Sequence, residues 1–241
     1  MKSGCILMAL LILPMVGCQS GPTPLAGMSA LRINVIAEEK AGYKDPDSRV
    51  MVYDSGTAKV KGPFERVDYS ELDEIVVWVE PVGGGAQSPP ASPMTIEVSA
   101  KTSATKLAGA VCVGQRLIVR NSGPVAGKFY SVSDGNEFNL GVIPAGGQGE
   151  YVVRAAGLIE VLSESSKDPV AETYAAPTKW VAVAQSGGVV DFADLPPGRY
   201  KVMSWHPRLP GYESIVTLSP NQSATASIKV GVNALPKVGP R

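Results

Sequence analysis

Twenty-six glycines and 20 prolines cut the 241-residue chain into short apolar runs. Punctuation this dense leaves room for strands joined by turns and argues against a bundle of long helices. Apolar residues make up 44% of the chain and charged ones 18%, so a core can form and a disordered chain is not expected. The 22 basic and 22 acidic side chains cancel, which leaves no broad field to attract nucleic acid. The length suits one large domain or two small ones.

The N-terminus reads as an export signal. Lys2 supplies a minimal positive region, and Cys5 to Leu13 form an apolar stretch too short to cross a bilayer as a permanent helix. Pro14 interrupts it, and Met15-Val16-Gly17-Cys18 resembles a bacterial lipobox, in which small residues precede a cysteine that is acylated before cleavage. Residues 1–17 are therefore expected to be a lipoprotein signal peptide and Cys18 the lipidation site. A plain secretory signal cut before Gln19 or Ser20 is the alternative. Gln19 stands where Asp would favour inner-membrane retention, so an outer-membrane anchor is expected, with the protein periplasmic or at the cell surface. Removing the signal leaves Cys112 with no intramolecular disulfide partner, since Cys18 is then acylated. In the run Ala110-Val111-Cys112-Val113 it reads as a buried, inert thiol.

Residues 18–29 are small, polar and rich in Pro and Gly, and read as a flexible tether. Strands follow. Leu31, Ile33 and Val35 alternate with Arg32 and Asn34, and Val50 and Val52 alternate with Met51 and Tyr53, with a turn over Gly42 to Ser48 between them. Ile75-Val76-Val77-Trp78-Val79 is continuously apolar and predicts a central strand covered on both faces, ended by Pro81. The four prolines and three glycines of 81–93 predict an exposed loop. Further strands are expected at Arg116 to Arg120, Glu150 to Arg154 and Leu158 to Leu162, then around Val190 and Phe192, Tyr200 and Val202, Val216 and Leu218, and Ala226 to Val230. The fold class predicted is all-β, with two Greek-key sandwiches: one over 30–177, into which residues 30–66 are placed, and a smaller one over 178–232, before a tail of 233–241.

Several residues resemble known families. Asn121-Ser122-Gly123-Pro124, Phe129 to Ser131, Phe138-Asn139-Leu140-Gly141 and Pro144-Ala145-Gly146 resemble the plastocyanin-like cupredoxins of bacterial envelopes. Gly188 to Pro207, with Leu195-Pro196-Pro197-Gly198 and Ser204-Trp205-His206-Pro207, resembles the carboxypeptidase regulatory-like sandwich often fused after that cupredoxin. The first resemblance implies a copper site of two imidazoles and a thiolate with a weak axial thioether. The matching positions in this chain are Gly127, Ser163, Ser166 and Pro169, with Glu164 beside the second. None can serve as such a ligand, so no cofactor and no electron transfer are expected.

Other motifs point to no reaction. His206, the single histidine, reads as a packed turn residue between Trp205 and Pro207. There is no serine nucleophile elbow to go with it. Gly123 to Lys128 imitates a phosphate loop but is one residue short and leads into Phe129 rather than a helix. Asp45 to Ser48 and Glu164 to Asp168 lack the spacing of a calcium loop. Trp78 is expected in the core, while Trp180 and Trp205, at strand edges, are candidates for stacking on sugar rings. The expectation is a non-catalytic, lipid-anchored envelope protein with a binding or structural role, its partners being the membrane and an envelope protein or polysaccharide. A carbohydrate-binding module and a carboxylate-dependent hydrolase are the alternatives.

Overall fold

The computed structural model describes residues 21–38, 69, 72–85, 88–104 and 106–231, and these contain strands and turns but no helix. The signal peptide, Cys18, the Val50–Val52 run, the Gly42–Ser48 turn with its acidic pair and the 233–241 tail lie outside the described residues.

The all-β class expected from the sequence is what the chain adopts, as four sheets arranged in two sandwiches. One sandwich is built from both ends of the chain. Strands β1 (Ser29–Ala37) and β2 (Ile75–Pro81) join β11 (Val181–Ala184), β12 (Val189–Leu195), β13 (Gly198–His206), β14 (Leu209–Leu218) and β15 (Ser223–Val230). They form a sheet of order β12-β1-β15 facing one of order β11-β2-β13-β14. Their inner faces supply a core of Leu31, Ile33, Val35, Ile75, Val77, Val79, Phe192, Tyr200, Val202 and Ile228, among others. The period-two alternation of β1 places its three apolar side chains on one face of a strand, and burying them there stabilises the pairing across the sandwich.

The second sandwich is inserted between β2 and β11. It comprises β3 (Met94–Val98), β4 (Leu107–Cys112), β5 (Arg116–Asn121), β6 (Gly127–Ser131), β7 (Phe138–Ile143), β8 (Gln148–Val152), β9 (Gly157–Ser163) and β10 (Ala171–Ala176). Its sheets have the orders β3-β5-β8 and β4-β10-β9-β6-β7, with β3 parallel to β5 and β4 parallel to β10. Ile96, Leu117, Val119, Phe129, Ile159 and Val161 lie at its centre.

This topology corrects the expected boundaries. β1 and β2 do not complete the sandwich that follows them in sequence. They pair with strands beyond residue 177, Arg32 opposite Asp191 and Val79 opposite Val202. The expected 178–232 unit is thus incomplete without 29–37 and 75–81, and the expected 30–177 unit reduces to 94–176. The expected tether is also shortened, because its last residues are fixed. Leu25 donates from its backbone to Ala193 (3.2 Å) and Gly27 to the Asn221 side chain (2.7 Å), while Met28 accepts from the Asn221 backbone (2.6 Å).

β2 is the covered central strand that its composition predicts, and the insert is what covers its second face. Ile75, Val77 and Val79 point into the host core, whereas Val76 and Trp78 meet Tyr174 and Ala176 of β10. Where β2 begins, Glu74 adopts φ +59°, a conformation disfavoured for residues with a side chain, and its carboxylate accepts from the Leu107 backbone at the start of β4. Lys106 pairs with Asp73 beside it.

Candidate functional site

The antiparallel register Phe129↔Ser163 and Tyr130↔Leu162 puts Gly127 at the end of the sheet where β9 runs into residues 164–169. The positions matched to a copper site therefore gather at one end of the insert, but the space beside Gly127 is filled. A Cβ on Gly127 would lie 2.8 Å from the Ala100 Cβ and 2.8 Å from the Phe129 ring, and Phe129 is fully buried. Ser163, also buried, accepts at Oγ from the Ser165 backbone (3.3 Å), and the Ser166 hydroxyl donates to the Asp168 carbonyl (2.8 Å). Pro169 uses its carbonyl to accept from Ala104 (2.7 Å). Lys128 pairs with Glu164 across the same end. Glycine, two hydroxyls and a proline ring offer no imidazole, thiolate or thioether, and the packing leaves no space at Gly127 for an imidazole in its place. These residues do not fit a copper ion.

What holds this end together is Asn121, fully buried at the end of β5. Its amide donates to the carbonyls of Val125 (2.8 Å), Ile143 (3.0 Å) and Pro144 (3.3 Å), and its Oδ1 accepts from Gly123 (3.0 Å). The segment that imitates a phosphate loop is thereby a clamped turn leading into a strand. Asn136 does the same work elsewhere in the insert, joining Ala155, Arg154 and the Tyr151 hydroxyl. A buried side-chain amide that satisfies several backbone groups fixes a loop at little local cost. The Asn121-Ser122-Gly123 and Asp134-Gly135-Asn136 turn patterns mark such places in the sequence without showing which amide points inward.

His206 is buried, accepts at Nδ1 from the Arg208 backbone (3.1 Å) and hydrogen-bonds the Asp73 backbone. Burial, then the nearby Arg208 charge, pulls its pKa below the usual histidine value. It is a buried, hydrogen-bonded turn residue, as its sequence context predicts. The nearby Ser204 hydroxyl accepts from Tyr212. Cys112 is buried, and that burial raises its thiol pKa, which disfavours the reactive thiolate.

Trp180 corrects the stacking expectation. Trp180 is only 5% exposed; its indole donates to Asp194 (2.8 Å) and its ring meets Tyr200 edge-on. Lys179, paired with the same Asp194, sits 5.2 Å from the ring centroid. Trp205 is half-buried with its ring stacked on Tyr174 at 4.6 Å. The Trp180 ring is committed to packing and offers no flat platform for a sugar, while Trp205 has the Tyr174 ring against it. Trp78 is buried as expected and donates to Glu80 (2.6 Å).

Two open grooves flank the host sandwich. One, of about 430 Å³, lies at the junction with the insert and includes Asp73, Glu74, Lys106, Gln185 and Val189. The other, of about 350 Å³, lies at the opposite end among Pro81, Val82, Trp180, Pro196, Pro197 and Arg199. One carboxylate pair also faces itself: Glu160 and Glu172 are direct cross-strand partners on β9 and β10. Burial, then Glu160 and Glu74, raises the Glu172 pKa. Neither of the two is among the residues lining either groove. Among the described residues, no group of three or more His, Cys, Asp or Glu side chains is placed to hold a metal ion.

No protein-family model matches this chain, and no curated protein does.

Proposed function

We propose that the chain is a non-catalytic envelope protein, lipid-anchored through Cys18, in which a cupredoxin-like sandwich that has lost its copper site is carried by a regulatory-like sandwich and serves in binding or structural support. The observation that carries the reading is the filled space at Gly127, where the Phe129 ring and Ala100 occupy the volume that a ligand side chain would need. Function resides in sites rather than folds, and the end of the insert that such a fold would devote to copper is a clamped, close-packed turn. The neutral, hydrogen-bonded His206 and the buried Cys112 support the non-catalytic part of the reading. The lipobox-like Met15-Val16-Gly17-Cys18 supports the anchor.

Titrating the purified protein with cupric ion tests the loss of the copper site. The expected result is no intense visible absorption band and no stoichiometric copper by elemental analysis. A strong blue band would overturn the reading. Intact-mass measurement of the mature protein tests the anchor, the expected mass being that of a chain beginning at an acylated Cys18.

A further inference from the structure

At the end of the host sandwich nearest the N-terminus, the loops are uncharged, and the Lys179–Asp194 pair beside Trp180 is mutually neutralised. β1 starts there beside the end of β12 and the start of β15, and β2 ends there beside the start of β13. The segments that build this end are 21–29, 81–85, 195–198 and 219–223, and none of them contains an Asp, Glu, Lys or Arg. Leu25 is 59% exposed and Val82 39%, with Pro196 and Pro197 also exposed and Arg199 at the margin. The opposite end is ionic, with Asp73, Lys106, Glu38 and Lys229 in salt bridges.

The chain reaches this end within three residues of Cys18. Gly21 lies directly against Ser223, where a Cβ would come 2.6 Å from the Ser223 Oγ, and the following residues are hydrogen-bonded to Ala193 and Asn221. Three Cα–Cα steps span at most about 11 Å. An acyl chain on Cys18 would therefore hold this end within about that distance of the lipid headgroups. Exposed apolar side chains suit such a surface, because an anionic leaflet repels unpaired acidic residues and accepts apolar and cationic ones, and the neighbouring Asp194 carboxylate is paired with Lys179.

We infer that the host sandwich rests on the bilayer through this end, with Leu25, Val82 and the Pro196-Pro197 turn against the lipid headgroups and Arg199 beside lipid phosphate. This rests on the proposed acylation of Cys18. The surface then has an orienting role: it fixes which way the sandwich stands on the membrane, so that the junction with its salt bridges faces away from it.

The test uses the full lipidated protein in vesicles of phosphatidylethanolamine and phosphatidylglycerol containing headgroup-spin-labelled lipid. Single cysteines are introduced as Pro197→Cys, Gln222→Cys and, at the far end, Gln185→Cys, and labelled with a fluorophore. Cys112, only 1% exposed, stays unlabelled. Quenching several-fold stronger at 197 and 222 than at 185 is expected, and adding Leu25→Asp with Val82→Asp should reduce it while the acylated mass is unchanged. Equal quenching at all three sites in acylated protein, or quenching insensitive to the double substitution, would overturn the docking surface and leave the anchor standing. A mature protein without acyl mass would overturn both.

Discussion

The Tyr174 ring of the insert stacks on Trp205 of the host, with centroids 4.6 Å apart and planes at 29°. Trp78 also meets the Tyr174 ring, tilted, at 5.5 Å, so one tyrosine from β10 is in contact with two tryptophans from adjacent host strands. This apolar junction is what turns a strand with two apolar faces into a buried strand. Tyr174→Ala removes the shared ring and is expected to cost about 2–4 kcal/mol, in the range of large aromatic truncations. Because it removes contact between two separate cores, calorimetry should show the single unfolding transition of the native protein broaden or split in two.

Gly127 is the position at which added volume has nowhere to go. Gly127→Ala is expected to destabilise by about 1–3 kcal/mol, the usual cost of overpacking, because its methyl group meets Ala100 and the Phe129 ring. Pairing it with Phe129→Leu should recover part of that cost, which urea unfolding of the single and double variants would measure.

Asn121 predicts an unusual order of severity. Asn121→Ala removes the amide donor shared by the Val125, Ile143 and Pro144 carbonyls, of which Pro144 keeps its bond from Gly147, and should cost about 1–3 kcal/mol. Asn121→Asp, nearly the same shape, should be worse at neutral pH, since a carboxylate would face those same oxygens. Chemical denaturation of both variants checks the order.

The sequence shows strands readily and partners poorly. The alternation of Leu31, Ile33 and Val35 identifies β1, yet its salt-bridged partner to Arg32 is Asp191, 159 residues away, and period-two patterning carries no information about that distance. Ile75 to Val79 is legible as doubly covered, but nothing in the run says that the cover is an inserted sandwich. The empty ligand positions are legible as residue types, whereas the Phe129 ring that fills the space is a packing fact. Trp180 is legible as a strand-edge aromatic, whereas its burial and the acceptance of its indole N–H by Asp194, 14 residues further on, are facts of the fold.

His206, as the single histidine, gives an unambiguous titration. Its folded pKa is below the ordinary value of 6.5, so the unfolded chain takes up the proton first. The stability it contributes is full above 6.5 and is lost as the pH falls through that value toward the folded pKa. In the NMR spectrum its imidazole should remain neutral, with the proton on Nε2, at pH values where a free histidine is already charged.

Glu172 acts in the opposite sense. Burial, Glu160 and Glu74 raise its pKa above 4.5, so the folded state holds its proton more tightly than the unfolded chain. Its favourable contribution is full below about 4.5, the ordinary glutamate value, and is lost as the pH rises through the folded pKa, leaving a charged pair of cross-strand neighbours at neutrality. Glu172→Gln should therefore be more stable than the native protein at pH 7, and the difference should shrink as the pH is lowered toward that ordinary value. Thermal unfolding across that range, with Glu160→Gln as a second variant, separates the two causes. If the Glu160 charge contributes to the shift, its removal lowers the Glu172 pKa, whereas a shift due to burial alone survives it.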